Sequence, residues 1–296
     1  MRSWIEAVTA LRNERRPGVL ATITAVRGHA PREAGAKMVI ASQEIFGTIG
    51  GGNLEMAAME RARQMIAQGE SQPQSISMKL SDKAPAKFGR QCCGGEITVL
   101  LEPLPVPATV AIFGVGNVGM ELARILSRHD LELHLVDSRP EFLEDLPALE
   151  SSVARIHSAV AVIGEQVLSC LPQGSHVLIM THDHAEDFHL CDAALRHRGL
   201  GSIGLIGSSA KWTRFQKNLR ASGFGDEQIA AIQCPIGIDQ VRGKQPAVIA
   251  VSVAADLLAR ITDAAKQPVP SPEPALNAEP ALNPEPALSE AKMRIV

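Results

Sequence analysis

The sequence predicts an α/β protein: a mixed α/β domain over residues 1–102, a doubly wound parallel sheet over residues 108–265, and a disordered tail over residues 266–296. Three observations predict it. In the first hundred residues, segments that alternate like half-buried strands flank one long helical stretch. From Thr109 onward, nearly unbroken runs of Val, Ile, Leu and Met alternate with amphipathic stretches, the pattern of parallel strands covered on both faces. Between them stands Pro103-Leu104-Pro105-Val106-Pro107, whose alternate prolines suit a stiff linker at 103–107 rather than a sheet centre or a helix.

The elements follow in order. Trp4, Ile5, Val8 and Leu11 share one face of an amphipathic helix. Val19–Val26 (VLATITAV) and Lys37–Ser42 (KMVIAS) read as paired strands, Asn53–Gln68 as a helix, and QSISMKL and EITVLLEPL as two more strands. In the second domain, VAIFGVGNVGMELARILSRH is strand, turn and helix, and LELHLVDSRP is strand and turn. SHVLIMTH and GSIGLIG are strands, each followed by a helix, and Ala247–Ile261 forms a packed helix introduced by Pro246. The tail repeats EPALN, AEPALN and PEPALS, with too little apolar surface to offset its ordering entropy.

Composition bounds the function. A chain of 296 residues holds about two domains with full cores. Hydrophobic content of 45% and charged content of 21% are those of a soluble globular protein. A net charge of −3 gives no reason to expect nucleic acid or an anionic membrane as partner. The apolar run PAVIAVSVAADLLA is interrupted by Asp256 and too short to span a bilayer. The first turns carry charges rather than the apolar core of a leader peptide. Five cysteines without a disulfide framework fit a reducing compartment, so a cytoplasmic protein is expected.

Gly114-x-Gly116-x-x-Gly119 lies between a predicted strand and a predicted helix, the context of a dinucleotide fingerprint, and makes the second domain Rossmann-like. Asp137 ends the next strand, eighteen residues past Gly119, where such folds place a ribose-binding carboxylate. Arg139 could balance a further phosphate. The loop can equally serve packing, or receive another phosphate-bearing molecule in place of NAD(P).

Gly47-Thr48-Ile49-Gly50-Gly51-Gly52-Asn53 also runs into a helix. Its free amides suit an anion cradle, the alternative being a tight turn with Asn53 as N-cap. Arg32 and Lys37 stand upstream on a turn-rich loop. Gln91-Cys92-Cys93-Gly94-Gly95 pairs two thiols that cannot bridge without strain and lack the spacing of a zinc or redox motif. They are either an inert buried pair or soft sulfur ligands on a glycine turn. Thr181-His182-Asp183-His184 follows a strand, where His182, Asp183 and His184 could bind a divalent metal or relay protons, while Asp187 could simply begin a helix.

Taken together, the residues resemble the XdhC family, accessory proteins of xanthine dehydrogenase and related molybdenum hydroxylases. The resemblance covers about residues 1–265. It rests on GHAPREAGAKM, GTIGGGNLE, QCCGG, FGVGNVG, VDSR, THDH, GLIGS with Lys211, CPIGI and IAVSVAADLL, in that order. It implies a maturation chaperone rather than an enzyme: a chain that binds molybdenum cofactor (the molybdopterin form), supports its sulfuration with a cysteine desulfurase, and inserts it into the molybdenum subunit of apo-xanthine dehydrogenase. It also allows a homodimer. Under it, Arg32, Lys37, the glycine turns and Cys92 or Cys93 would supply cations, an anion cradle and a soft ligand or sulfur relay. Two departures stand out. Asn53 replaces a cysteine found in many relatives, and His29-Ala30-Pro31-Arg32 replaces a hydroxyl-bearing loop. The rival classes are an NAD(P)-dependent oxidoreductase and a metal-dependent hydrolase at the THDH turn.

Overall fold

The computed structural model describes residues 3–79, 95–144, 146–149, 152–197, 199–264 and 294–295. Gln91, Cys92 and Cys93 lie outside the described residues, as does most of the proline-rich tail. The chain divides into two compact units, one running to Val106 and the other from Pro107 to Ile261.

The first unit begins with α1 (Trp4–Asn13), where the Ser3 hydroxyl accepts from the Glu6 amide and the Glu6 carboxylate accepts from the Ser3 amide. That reciprocal box satisfies two donors that a helix start otherwise leaves open. There follow β1 (Gly18–Arg27), β2 (Lys37–Ala41), β3 (Ile45–Gly47), α2 (Gly52–Gln68), β4 (Gln74–Lys79) and β5 (Glu96–Leu104). The strands form one antiparallel sheet in the order β3-β2-β1-β5-β4. Period-two alternation sorts β2 between the two helices. Met38 and Ile40 join Leu54, Ala58, Ala62 and Met65 of α2, while Val39 and Ala41 join Ala7 and Leu11 of α1.

One boundary is corrected. Pro103 and Leu104 stay in β5, opposite Val19 and Gly18 of β1, so the proline-rich connection is confined to Pro105–Pro107. Pairing with β4 stops at Leu101, and past it no second strand among the described residues asks Pro103 for the N–H it lacks.

The second unit contains β6 (Ala108–Phe113), α3 (Asn117–Leu126), β7 (Leu131–Asp137), β8 (Arg155–Val160), α4 (Gly164–Ser169), β9 (His176–Ile179), α5 (His184–Arg196), β10 (Ser202–Leu205), α6 (Ser209–Ala221), α7 (Asp226–Ile229), β11 (Ile232–Gln233) and α8 (Pro246–Ala264). Its sheet runs β11-β10-β9-β6-β7-β8, parallel throughout, with β12 (Arg294–Ile295) added antiparallel to β8. β8 offers an edge whose backbone groups these two residues can satisfy.

Counted in chain order, the parallel strands run 3-2-1-4-5-6, the doubly wound order. Leu122, Ala123 and Leu126 of α3 and Ala250, Val253 and Leu257 of α8 pack on one face with Val110, Ile112, Leu133 and Leu135. On the other face Leu168, Leu190, Ala194, Phe215 and Leu219 pack with Ala111, Phe113, Val177 and Ile179. Because the winding reverses between β6 and β9, a crevice opens at their carboxyl ends. Among the described residues, no helix is long and apolar enough to cross a membrane.

Candidate functional site

At the reversal point the turn after β6 needs its three glycines for three different reasons. Gly114 has φ +99°, and a Cβ there would lie 2.3 Å from the Met180 carbonyl oxygen. A Cβ on Gly119 would lie 2.2 Å from the Gly114 oxygen, so that glycine lets α3 sit close to its strand. Gly116 is different. A Cβ there would meet only Arg139 Nη2, at 4.0 Å, and α3 begins at this point with no side-chain cap. Bare backbone and open amides at a helix start make room for an anion. The adjoining cleft measures about 410 Å3 and is lined by Asn117, Arg124, Glu141 and Phe142.

Asp137 ends β7 beside this turn, but its carboxylate faces inward and is 2% exposed. Oδ2 accepts from the Val115 amide at 2.8 Å and from Arg139 Nη2 at 3.0 Å, and Oδ1 accepts from Arg139 N and Nε at 3.0 and 2.9 Å. Burial alone would push its pKa up; the Arg139 bonds and the Val115 amide outweigh it and hold the carboxyl below the usual range. Both oxygens are thus spent on the loop itself, and a ribose would have to break those bonds. Arg139 in turn lies 3.8 Å from the centre of the Phe142 ring, so it too is anchored.

A second cavity, of about 700 Å3, lies at the carboxyl ends of β9 and β10 under the segment Pro235–Gly243. At its inner wall Lys211 of α6 meets Asp187 of α5, Nζ to Oδ2 at 2.5 Å, with side chains 9% and 1% exposed. Lys211 also donates to the Ile206 carbonyl at 2.9 Å. The other carboxylate oxygen accepts from the Thr181 amide at 3.0 Å and the Thr181 hydroxyl at 2.8 Å. One buried ion pair therefore ties together the loops after both strands. Burial pushes the nearby Cys191 thiol well up and the Cys234 thiol up to about 11, so both stay protonated at neutral pH.

The THDH turn is a helix start. Asp183 caps α5, its Oδ1 accepting from the Ala185 and Glu186 amides at 2.5 and 3.2 Å, and those bonds hold its pKa down. His182 is half exposed and lies 4.0 Å from the Glu186 carboxylate. Among the described residues no three His, Cys, Asp or Glu side chains gather as a metal would require. The set His182, Asp183 and His184 is corrected accordingly: the acid between the histidines is committed to the first amides of the helix.

In the first unit the glycine turn is an anion cradle that the protein fills itself. One oxygen of Glu55 accepts from the amides of Ile49 at 2.9 Å, Gly50 at 3.2 Å and Gly51 at 2.8 Å, and from the Thr48 hydroxyl. Gly50, Gly51 and Gly52 all have positive φ, the conformation that turns these amides to a single point. Asn53 is not the cap; Gly51 holds that position without a side chain. A Cβ on Gly50 would strike Pro31 at 2.6 Å and approach Arg32 Cγ at 3.5 Å, so Arg32 does lie beside the turn. Lys37 does not. Its place in β2 matches Val39 and Ala41, on the α1 face, where Nζ bonds Thr22 Oγ1 at 2.9 Å and lies 5.4 Å from the Trp4 ring.

Burial would raise the Glu55 pKa, but the Thr48 hydroxyl and the three amides prevail and lower it. A depressed carboxyl contributes stability that is full above its unfolded pKa of about 4.3 and disappears as pH falls through the folded value. Glu55→Ala is therefore expected to cost about 1 kcal/mol at pH 7, the low end because the carboxyl is part-exposed, with the gap to wild type closing below about pH 4. Urea melts at both pH values check this; an equal gap at each would remove the charge from the account.

Two family models match the chain, the XdhC Rossmann domain over residues 110–257 and the XdhC and CoxI family over residues 11–77. The uncharacterized protein YqeB of Escherichia coli K12 is 27% identical over 243 residues, which is 82% of this chain and 43% of that one. Erythronate-4-phosphate dehydrogenase of Marinobacter nauticus is 34% identical over 84 residues, 25% of this chain and 22% of that one. The chain spans less than half the length of these curated relatives. Among solved structures, a Bacillus halodurans protein described as a xanthine dehydrogenase superposes with a TM-score of 0.46 at 21% identity, over 88% of this chain and 96% of its own.

Proposed function

The chain belongs to the XdhC family, and on that premise we propose that it serves xanthine dehydrogenase maturation by holding molybdenum cofactor and passing it, once sulfurated, to the apo-enzyme. What carries this reading is the backbone at Gly116, open toward the cleft at the start of α3. The residues present fit a ligand that ends in a phosphate. The first amides of α3 can donate to such a group; Arg124 in the same cleft now donates to Glu121 at 2.6 Å and would have to turn from that acid to reach it. When bound, the cofactor supplies a dithiolene-held molybdenum that accepts soft ligands. Cys191 is buried, Cys234 is half-buried, and Cys170 is exposed at the end of α4, away from both glycine turns in sequence; the family resemblance gives the soft-sulfur role to Cys92 or Cys93, either as ligand or as carrier of the incoming sulfur, with a cysteine desulfurase as its source. Asp137 and Arg139 act as braces that hold the turn in shape, in place of contacts to a ribose.

The test is cofactor retention. Wild-type protein from a molybdenum-replete host is expected to carry pterin detectable as form-A fluorescence. Gly116→Val, which fills the approach to the amides, should lower it by about tenfold or more while the protein stays folded. Cys92→Ser combined with Cys93→Ser should leave soluble protein without retained pterin, and little dehydrogenase activity in a strain lacking its own accessory protein. Retention equal to wild type in both variants would overturn the proposal. Binding of NAD or NADP in place of pterin, abolished by Gly116→Val, would instead establish the oxidoreductase reading.

A further inference from the structure

The parallel sheet of the second unit ends at β8, and that edge is built differently from the opposite one. At the far side β11 is two residues long, Ile232–Gln233, which leaves little backbone to pair. β8 offers Arg155–Val160, paired in unbroken register with β7 and containing no proline, lysine or bulge. Those are the devices by which sheet edges usually refuse a further strand. The flanks are apolar. Val153, Val160, Val162 and Ile163 are each more than half exposed, and among the described residues of this unit Val251 is the only other large apolar side chain so exposed. Apolar residues scattered singly on a surface need no explanation, but four at the ends of one strand edge do.

The edge already holds a strand. Arg294 and Ile295 pair antiparallel with Ser158 and His157, the direction in which two copies related by a twofold axis would also meet. They engage only the middle of β8 and leave backbone at both its ends for a longer partner. A twofold axis normal to the sheet brings like faces level, so a residue can stand opposite only one of its own parity. Centring on Ser158 sets Ile156 opposite Val160 and covers an exposed valine with an isoleucine. Centring on His157 would set two imidazoles against each other, each already held by Glu132 at 2.6 Å and stacked on His134. The first register makes the better pairs.

We propose that β8 is a self-association edge for a second copy of this chain, joined β8 to β8 about Ser158, and that Arg294–Ile295 guards it. The guard is only two residues long, but it belongs to the same molecule. An intramolecular competitor acts at an effective concentration that a second copy must exceed. Pairing of copies then depends on protein concentration and on whether the guard is in place. The contact is isologous, so it closes at two copies. The inference stands on the sheet edge alone and holds whether or not the cleft at Gly116 takes a phosphate.

The test is sedimentation velocity on the full chain over a concentration series. Arg294→Pro with Ile295→Pro removes both N–H groups of the guard and should tighten association by about tenfold or more, giving a species of twice the wild-type mass. Val160→Lys in that background sets an edge lysine opposite Ile156 of the other copy and should return the wild-type mass. Because Val160 is more than half exposed, the lysine is tolerated by the fold. A synthetic peptide of the guard sequence, AKMRIV, added in excess should dissolve the doubled species by occupying the same edge. An unchanged mass in the proline variant, a doubled mass that survives Val160→Lys or the peptide, or growth beyond doubling would each overturn the proposal.

Discussion

Asp187→Ala is expected to cost about 3–5 kcal/mol, enough to unfold the second unit under mild denaturation. The carboxylate is fully buried and holds three groups at once: the Lys211 ammonium, the Thr181 amide and the Thr181 hydroxyl. Alanine strands the charge of Lys211, which is 9% exposed, in a place water barely reaches. It also leaves the Thr181 amide without an acceptor. The neutral pair Asp187→Asn with Lys211→Met should recover much of the loss, because no lone charge is left behind. Urea denaturation followed by circular dichroism gives both values. A single variant within about 1 kcal/mol of wild type, or a double variant worse than the single, would mean that the pair is hydrated and of little consequence.

The second large effect separates two glycines of one turn. Gly114→Ala is expected to destabilise by about 3 kcal/mol or more, since a methyl group would be driven into a backbone carbonyl at a positive φ. Neither the Met180 carbonyl nor the Gly114 backbone can yield, because Met180 N already bonds Phe113 O and Gly114 N bonds Val136 O, each at 2.8 Å. Gly116→Ala, two residues on, should cost only about 0.5–1 kcal/mol, the ordinary difference between glycine and alanine at a helix start. Melting temperatures of the two purified variants decide the matter. Similar losses in both would mean that the fingerprint is read by packing alone, and the ligand argument at Gly116 would weaken with it.

Much of the fold could be read from the chain because period and punctuation agreed. Strand, glycine turn, helix, strand and Asp137 were each legible, and the parallel order followed from them. The stretch between Pro140 and Pro172 was not, because β8 is half-buried along its length and α4 is six residues long. Neither gives a period long enough to recognise.

At the sites, residue types were legible but their present partners were not. Asp137, Asp183 and Glu55 sit where acids or amides could serve a ligand, yet all three are bound to nearby backbone, Asp137 to the Arg139 amide as well as to the more distant Val115 amide, as acids near helix starts and strand ends often are. The ion pair left a fainter trace. Asp187 shares its helical stripe with Leu190, Cys191 and Ala194, and Lys211 shares its own with Phe215 and Leu219. A charge on an apolar stripe is a sign of a buried partner, and two such stripes of opposite sign could have been matched.

The cradle at Gly47–Gly52 carries a consequence for selectivity. Its receptor geometry is complete, and its guest is covalently tethered four residues away from the last amide it engages. A tethered guest acts at a local concentration that dissolved phosphate or sulfate cannot match, so ordinary cellular anions are shut out by competition rather than by shape. Only a ligand that brings further contacts of its own could evict the carboxylate. The turn is in this sense a lock closed by an internal plug, and its specificity is set by the free energy needed to draw Glu55 out.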